Sequence, residues 1–166
     1  YVPVGHDYPG TPKQLPLDLV LAALKPLLEN PQLSKIAQHG KYDLNVLTRY
    51  GITIAGFSLD TMLESYVWNS TASLHNMDAL AKKYLGVKTI HYEDVAGKGA
   101  RQISFSQVGL DEAAAYAAED ADITLRLHQT LWPKLQAVPA LERVFREIEM
   151  PLAPVLARME RAGVLI

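Results

Sequence analysis

The pattern of apolar and polar residues predicts an α/β domain that opens with strand, helix and strand. Apolar residues spaced by three and four indicate helices, and short runs rich in β-branched residues indicate strands. Helices are predicted over residues 17–28, 42–50, 58–68, 76–84, 111–135, 141–148 and 152–161. Strands are predicted over residues 1–4, 33–38 and 52–57, and exposed loops over residues 6–16 and 87–102.

Capping and stop residues refine the predicted boundaries. Asp60 is expected to cap the helix that follows it, and Thr61 and Glu64 have the spacing of a capping box. Gly51 and Gly86 are expected to end their helices.

Proline residues mark breaks in the second half of the chain. Pro133 predicts a kink or late break in the long helix, and Pro151 separates the last two helices. Val138 and Pro139 indicate a boundary, so residues 1–138 are predicted to form one domain and residues 139–166 to open another.

The long helix over residues 111–135 places a carboxylate on its apolar face. Its stripe, at helical spacing, consists of Tyr116, Asp120, Ile123, Leu127 and Leu131. The charged neighbours predicted to face solvent are Glu119, Asp122 and Arg126. A buried carboxylate is costly unless it is protonated, paired or bound to a cation, so Asp120 is a functional candidate. The alternative is that Asp120 lies at the edge of the stripe and reaches water.

Asp43 repeats this anomaly on another helix. It shares a predicted face with Val46, Leu47 and Tyr50. Its place in the first helical turn also allows a capping role or an interaction with the helix dipole. Two inward carboxylates on separate helices favour a shared divalent-cation site, and oxygen ligands without cysteine favour Mg²⁺ or Mn²⁺ over Zn²⁺.

Composition limits the classes of protein to which the chain can belong. Its 166 residues are 49% hydrophobic and 20% charged, which suits a globular domain with a real core. The net charge of -2 argues against nucleic-acid binding through a broad basic surface, although a local basic patch stays open. The absence of cysteine excludes disulfides and thiolate metal sites. No membrane span or signal peptide is recognisable, so a cytoplasmic location without a membrane partner is expected.

The predicted loop over residues 87–102 contains a flexible glycine-rich run with Lys98 and Arg101. Its glycine and lysine spacing does not match a phosphate-binding loop. It is either a solvated loop or a basic segment near a polyanionic substrate. Further candidates for phosphate contacts are Lys41, Lys82 and Lys83.

Three segments resemble the proofreading 3′→5′ exonuclease domain of the bacterial DNA polymerase I family. They are Lys41-Tyr42-Asp43, residues 57–66 and residues 116–122, which contain Tyr116 and Asp120 in a Tyr-x-x-x-Asp element. Residues 148–156 and 160–164 resemble the start of the polymerase domain in that family. The resemblance covers essentially the whole chain.

The resemblance implies a ribonuclease-H-like α/β fold, with a mixed sheet flanked by helices, and phosphodiester hydrolysis by two divalent metals, Mg²⁺ or Mn²⁺. Asp43 matches the second acidic motif and would act through the second ion or a metal-bound water. Asp120 matches the third motif and would bind the nucleophile-side metal, while Tyr116 would orient the attacking water. The implied partners are a single-stranded 3′ end of DNA, on which Tyr92 could stack, and the rest of a polymerase chain in the bacterial nucleoid.

The departures from the family concern its first motif and residue 39. The family carries Asp-x-Glu on its opening strand, and no Asp-x-Glu occurs in this sequence. Residues 1–4 resemble a later strand of the same sheet, so the chain is expected to begin after that motif, to lack central strands and to be inactive in isolation. His39 stands where the second motif often carries asparagine, which leaves the assignment of Asp43 intact.

Two other functions remain open at this stage. One is a non-catalytic exonuclease-like domain that binds DNA ends or braces a polymerase. The other is an RNA-processing exonuclease of the same superfamily, against which the polymerase-like C-terminal segment argues.

Overall fold

The computed structural model describes residues 1–72 and 74–163. Its helices are α1 (Leu17–Leu28), α2 (Lys41–Thr48), α3 (Thr61–Trp68), α4 (Met77–Leu80), α5 (Tyr92–Ala96), α6 (Leu110–Gln136), α7 (Pro139–Val144) and α8 (Met150–Ala162). Its strands are β1 (Lys35–Ala37) and β2 (Phe57–Asp60). A π-helical turn extends α4 over Ala81–Leu85, and another over Phe145–Glu149 joins α7 to α8.

The two strands form a parallel pair, and α2 crosses over between them. Ile36 lies opposite Leu59 and Ala37 opposite Asp60, with an irregularity between Lys35 and Ile36. The order strand, helix, strand predicted around Asp43 is present, but the second strand is Phe57–Asp60, three residues of which were predicted to start a helix. The wider mixed sheet implied by the resemblance stays a prediction, since residues 1–72 and 74–163 contain this pair alone.

Helix α6 forms the spine of the hydrophobic core. Its residues Ile123, Leu127 and Leu131 are fully buried and pack against Leu80 and Ala81 at the end of α4. Near its C-terminus, a second cluster contains Leu135, Phe145 and Met150. The predicted helix over residues 111–135 is confirmed, and it continues through Pro133 to Gln136 without a break.

The predicted strand over residues 52–57 is wrong except at Phe57. The amide groups before β2 bond to neighbouring helix ends instead of to a strand: Ile52 N donates to Leu47 O at 3.2 Å, and Ala55 N donates to Leu28 O at 2.9 Å. Thr53 N donates to Glu29 Oε1 at 3.0 Å. Ile52 is buried at this junction, which accounts for the apolar pattern without a strand.

The predicted strand over residues 1–4 is also wrong. Tyr1 forms a hydrogen bond with His6, and its ring lies edge-on to Phe105. The His6 ring is in turn anchored, with Nδ1 2.9 Å from Val108 O. Aromatic packing against residues 105–108 therefore replaces strand pairing at this end.

Three helical predictions need correction in detail. Residues 87–102 are not loop throughout, because α5 occupies Tyr92–Ala96. The last two predicted helices are continuous: the π-helical turn over Phe145–Glu149 leads directly into α8, and Pro151 does not separate them. The helix predicted over residues 17–28 is confirmed as α1, yet its apolar residues Leu19 and Leu27 are exposed.

Substitution of two glycines distinguishes the cost of backbone strain from the cost of a steric clash. Gly56 has φ +70°, and an added Cβ would lie 2.5 Å from Leu33 O. Gly51 has φ +68° with nothing within 4 Å of an added Cβ. We expect Gly51→Ala to lower the free energy of unfolding by about 1–2 kcal/mol through left-handed strain alone, and Gly56→Ala by about 2 kcal/mol more. Urea denaturation of both variants measures the difference, and equal losses would contradict the clash.

Candidate functional site

The start of α2 is held against the sheet by Asp60. The Asp60 carboxylate is buried and accepts hydrogen bonds from the amides of His39 at 3.1 Å and Gly40 at 2.8 Å. It also accepts from Met62 N at 2.9 Å and Leu63 N at 3.4 Å, which confirms its predicted capping of α3. One carboxylate therefore orders the beginnings of two helices.

Close packing beneath α2 supports the same geometry. A Cβ added at Gly40 would lie 2.5 Å from the Phe57 ring and 2.8 Å from Ala37 Cβ, so only glycine fits there without a shift. His39 adopts φ +60°, a left-handed conformation that bends the chain into the helix. Asp43 follows one turn later, and its position depends on this tight junction.

Asp43 and Asp120 line the same open cleft, which has a volume of about 500 Å³. Asp43 comes from α2 and Asp120 from α6. The other lining residues are Ile36, Ala37, Gln38, Met77, Ala121 and Thr124. The structure thus brings together the two carboxylates that sequence analysis singled out.

The burial of these carboxylates differs from the sequence-based prediction. Asp43 is exposed rather than set on a buried stripe, and Tyr50 on the same predicted face is also exposed. Asp120 is half-buried, at the edge of the α6 stripe whose centre is Ile123 and Leu127. Both side chains therefore lie on the wall of the cleft, where a ligand from solvent can reach them.

The surroundings of the cleft disfavour the charged form of both acids. Packing around one side of Asp43 raises the pKa of its carboxyl group, and the charge of Asp60 raises it further while His39 opposes this. Burial raises the pKa of Asp120, and the charges of Glu119 and Asp78 add to this, whereas a hydrogen bond from Tyr116 lowers it. A cation in the cleft would relieve this electrostatic cost.

Tyr116 lies one helical turn before Asp120 on α6, and each of these two side chains influences the pKa of the other. Burial raises the pKa of Tyr116 to about 12, with further contributions from the charge of Asp120 and the hydrogen bond to it. The phenol therefore keeps its proton at neutral pH. It can donate that proton to Asp120 while its oxygen accepts a hydrogen bond from water.

The donor set fits part of a metal site. Carboxylate oxygens are the ligands that Mg²⁺ and Mn²⁺ prefer, and the cleft offers Asp43 and Asp120. Within the described ranges 1–72 and 74–163, no three His, Asp or Glu side chains converge closely enough to hold an ion. The cleft therefore offers two candidate ligands.

Tyr92 lies beside Tyr116. Its ring stacks on Phe105 at 6.2 Å between centroids, with 24° between the planes, and stands edge-on to Tyr116 at 6.2 Å. The side chain is 39% exposed, so part of the ring faces solvent. A sequence-based candidate for base stacking is thus placed next to the site.

The basic residues proposed for phosphate contacts lie on separate elements. Lys41 pairs with Glu160 of α8 at 2.5 Å, and Lys98 pairs with Glu93 at 3.0 Å. Arg101 is exposed at the end of a short 3₁₀ turn. Lys83 lies over the Tyr84 ring, and Lys82 lines a groove beyond α4. Engagement of Lys41 or Lys98 with a phosphate would replace an existing ion pair.

Two acidic residues, Glu119 and Glu64, have partners that the sequence did not predict. Glu119, which was predicted to face solvent, accepts a hydrogen bond from Ile90 N at 2.6 Å. Asp122 and Arg126 are exposed as predicted and lie 3.3 Å apart. Glu64 does not act in a capping box, because Thr61 is itself the first residue of α3 and its hydroxyl donates to Gln38 Oε1 at 2.5 Å.

Glu64 instead forms a buried pair that joins α3 to α6. Its Oε1 lies 2.7 Å from His128 Nδ1, and the Glu64 side chain is completely buried. Among residues 1–72 and 74–163, no group forms a hydrogen bond with its other oxygen. Burial raises the pKa of Glu64 to about 8, helped by the charge of Asp60, and burial lowers the pKa of His128. The pair is therefore neutral overall at pH 7.

This pair predicts a pH dependence of stability. Folded Glu64 keeps a proton that the unfolded chain releases near pH 4.5, so its contribution is fully present below that pH and is lost as the pH rises to about 8. We expect the free energy of unfolding of the wild type to fall, relative to Glu64→Gln, between about pH 5 and about pH 8. Urea denaturation across this range measures it. A difference between the two proteins that does not change with pH would contradict the assignment.

Comparison with known proteins identifies the family. The sequence model of a 3′-5′ exonuclease family that takes its name from A-type DNA polymerases matches residues 1–136. The chain belongs to this 3′-5′ exonuclease family. The resemblance inferred from the Asp43 and Tyr116–Asp120 segments is thereby confirmed.

The curated relatives of this exonuclease chain are long DNA polymerases. The chain is 60% identical to DNA polymerase I of Pseudomonas aeruginosa, with all of the chain and 18% of that protein aligned. It is 45% identical to DNA polymerase I of Rhizobium leguminosarum, with all of the chain and 17% of that protein aligned. The chain therefore spans less than one fifth of the length of these relatives.

Solved structures agree on the fold. The POL domain of Pol1 from M. smegmatis, in complex with DNA primer-template and dNTP, superimposes with a TM-score of 0.70 at 23% identity, covering 93% of this chain and 23% of that one. Brucella melitensis NrnC superimposes with a TM-score of 0.61 at 20% identity, covering 95% of this chain and 71% of that one. The ribonuclease-H-like α/β fold expected from sequence is confirmed.

Proposed function

We propose that the chain is the proofreading exonuclease region of a DNA polymerase I, which removes mispaired nucleotides from a single-stranded 3′ end. The observation that carries this proposal is the convergence of Asp43 and Asp120 in one cleft, with Tyr116 one helical turn before Asp120. Relatives that align over the whole chain, including residues 139–166, support a polymerase rather than an RNA-trimming enzyme.

The residues of the cleft have distinct parts in the proposed reaction. Exonucleases of this family are metal-dependent in general, and we propose Mg²⁺ or Mn²⁺ at the Asp43 and Asp120 carboxylates. Divalent ions bound there would activate the attacking water and stabilise charge on the leaving 3′ oxygen. Tyr116 keeps its proton and can orient a water by accepting a hydrogen bond from it. Tyr92 offers a ring face to the unpaired terminal base.

We propose that these 166 residues alone hydrolyse DNA very slowly. They contain no Asp-x-Glu, so two of the four carboxylates expected of the family are absent from the sequence. The two-ligand cleft also supports a second candidate function, in which this region binds a DNA end without cutting it. Mg²⁺-dependent hydrolysis by the chain extended upstream with an Asp-x-Glu strand supports the first function, whereas binding of a 3′ end without hydrolysis by that extended chain supports the second.

Domain organisation and location follow as lesser proposals. We propose that residues 139–166 begin the polymerase domain, which is supported by a family match that stops at residue 136. A cytoplasmic location at the nucleoid is proposed because the relatives are DNA polymerases. Among the helices described in residues 1–72 and 74–163, none has the length and apolar character needed to cross a membrane.

Cation binding can be tested without measuring catalysis. We expect Mn²⁺ added to the chain to broaden the NMR signals of residues around the cleft, such as Ala37 and Ala121. Asp43→Asn and Asp120→Asn should each weaken this binding by at least about tenfold, since loss of a metal-orienting outer ligand alone costs that much. Asp122→Asn, which removes the same charge on the exposed side of α6, should change it little. Equal effects of all three substitutions would contradict a site in the cleft.

A further inference from the structure

Residues 89–91, here called the strap, are anchored by two carboxylates from different helices. The Thr89 hydroxyl donates to Asp78 Oδ1 at 2.6 Å, and His91 Nδ1 lies 2.8 Å from Asp78 Oδ2. Between them, Ile90 N donates to Glu119 Oε2 at 2.6 Å. Three successive residues are thus held in place: Thr89 and His91 by Asp78 of α4, and Ile90 by Glu119 of α6.

The strap leads directly into Tyr92. Tyr92 is the first residue of α5, and the helix is closed at its start by a hydrogen bond from His91 N to Asp94 Oδ2 at 3.0 Å. A helix of five residues has little stability of its own, so its position depends on what anchors its ends. The strap fixes the N-terminal end of α5, where the Tyr92 ring stands, while buried Ala96 holds the other end against Val108 and Ala113.

Asp78 lies close to the site without being free to bind a metal there. Its charge contributes to the raised pKa of both Tyr116 and Asp120, which places it near their side chains. Each of its carboxylate oxygens is already engaged by the strap. Its neighbour Met77 lines the cleft, so α4 separates the cleft from the strap and connects to both.

Glu119 gives the strap its second connection to the site. It precedes Asp120 on α6, and its Oε2 is bound to Ile90 N. A movement of the strap would therefore alter the spacing between Tyr92 and the Tyr116–Asp120 turn. The edge-on contact between Tyr92 and Tyr116 and the tilted contact between Phe105 and Tyr116, at 5.9 Å, complete this connection.

We propose that Asp78 and Glu119 are positioning residues that hold the strap so that Tyr92 forms the stacking surface for the 3′-terminal base. The inference rests on the proposed function, because it assumes that a single-stranded 3′ end enters the cleft. In this proposal Asp78, Glu119 and Thr89 position Tyr92. Their substitution is expected to weaken the contribution of the 3′-terminal base to DNA binding, and not the contribution of its phosphate.

The test measures how much of the binding affinity depends on the terminal base. Fluorescence anisotropy in Mg²⁺ buffer compares two single-stranded oligonucleotides, one with a normal 3′ nucleotide and one whose 3′ nucleotide is abasic. Stacking on an aromatic ring contributes about 1–3 kcal/mol per base, so the wild type should prefer the normal end by at least about fivefold. Tyr92→Ala should bring this ratio close to one.

Substitutions in the strap should have the same effect as loss of the ring. We expect Asp78→Ala and Thr89→Val to reduce the ratio to about that of Tyr92→Ala. Thr89→Ser, which retains the hydroxyl, should restore it. Asp122→Ala removes an equal charge from α6 without touching the strap, so it should change the affinity for both oligonucleotides alike and leave the ratio unchanged. Far-UV circular dichroism confirms that each variant is folded.

Each outcome has a defined meaning. A wild-type ratio that persists in Asp78→Ala and Thr89→Val, but is lost in Tyr92→Ala, overturns the role of the strap. A ratio unaffected by Tyr92→Ala overturns the stacking surface itself. If the wild type binds neither oligonucleotide, the proposed function fails, which is a different result from binding without a preference for the terminal base.

Discussion

Asp120→Asn is expected to lower the rate of 3′ nucleotide release by at least about 10³-fold. The substrate is a single-stranded DNA, and the enzyme is this chain joined upstream to an Asp-x-Glu strand of the family. The substitution removes the charge of a proposed metal ligand, and metal ions contribute several kcal/mol of transition-state stabilisation. Single-turnover digestion of a 3′-labelled oligonucleotide in Mg²⁺ measures the loss.

Asp122→Asn is the matched control for this prediction. It removes a charge two residues along the same helix, from a side chain that is exposed and pairs with Arg126. Its rate should stay within about twofold of the parent, as expected for a surface substitution. If Asp120→Asn retains more than about a tenth of the parental rate, Asp120 does not act at the reacting phosphate.

Asp60→Ala is expected to lower the free energy of unfolding by about 3–5 kcal/mol. The carboxylate is buried and accepts hydrogen bonds from four backbone amides, at residues 39, 40, 62 and 63. Its removal leaves these donors without a partner and uncaps α3. Asp60→Asn should cost less, because one amide oxygen can still accept from several of these donors. Urea denaturation near neutral pH measures both.

Asn76→Ala provides the comparison for Asp60. Asn76 caps α4 through one hydrogen bond from Ala79 N, at 2.9 Å, so its loss should cost about 1 kcal/mol. An Asp60→Ala effect no larger than this would mean that Asp60 acts as an ordinary cap. It would then have no part in fixing α2, and the tight junction before Asp43 would need another explanation.

The sequence predicts the helices well where periodicity and buried packing coincide. The stripe of Ile123, Leu127 and Leu131 predicted both α6 and its buried face, because these residues pack on the end of α4. In α1 the same kind of periodicity predicted the helix but not its exposure, since a pattern shows which face is apolar and not what covers it.

The strands are harder to predict from the sequence, because a short apolar run can form a strand or a buried connection between helices. Residues 52–56 have a strand-like alternation, yet their amides bond to the C-terminal ends of α1 and α2. The strand begins at Phe57 and contains Ser58 and Asp60, polar residues that lower the local β signal. The position of this strand is decided by its pairing with β1, which lies about twenty residues earlier in the chain. The local sequence carries no information on that pairing.

The candidate site shows the same division between local and tertiary information. Asp43 and Asp120 were recognisable as charges near apolar stripes, and Asp60 as a helix cap. The anchoring of the strap by Asp78, and the pairing of Glu64 with His128, join elements that are distant in the sequence. Acidic residues on short helices look solvated in a sequence, so no local signal distinguishes these from ordinary surface charges.

The most direct test of the central claim is Mg²⁺-dependent digestion of a 3′-labelled single-stranded oligonucleotide. This chain is compared with the same chain extended upstream by an Asp-x-Glu strand of the family. We predict hydrolysis by the extended chain alone, because Asp43 and Asp120 would supply only part of the proposed metal site. Hydrolysis by the 166-residue chain itself, at a rate equal to that of the extended chain, would contradict this assignment of the site.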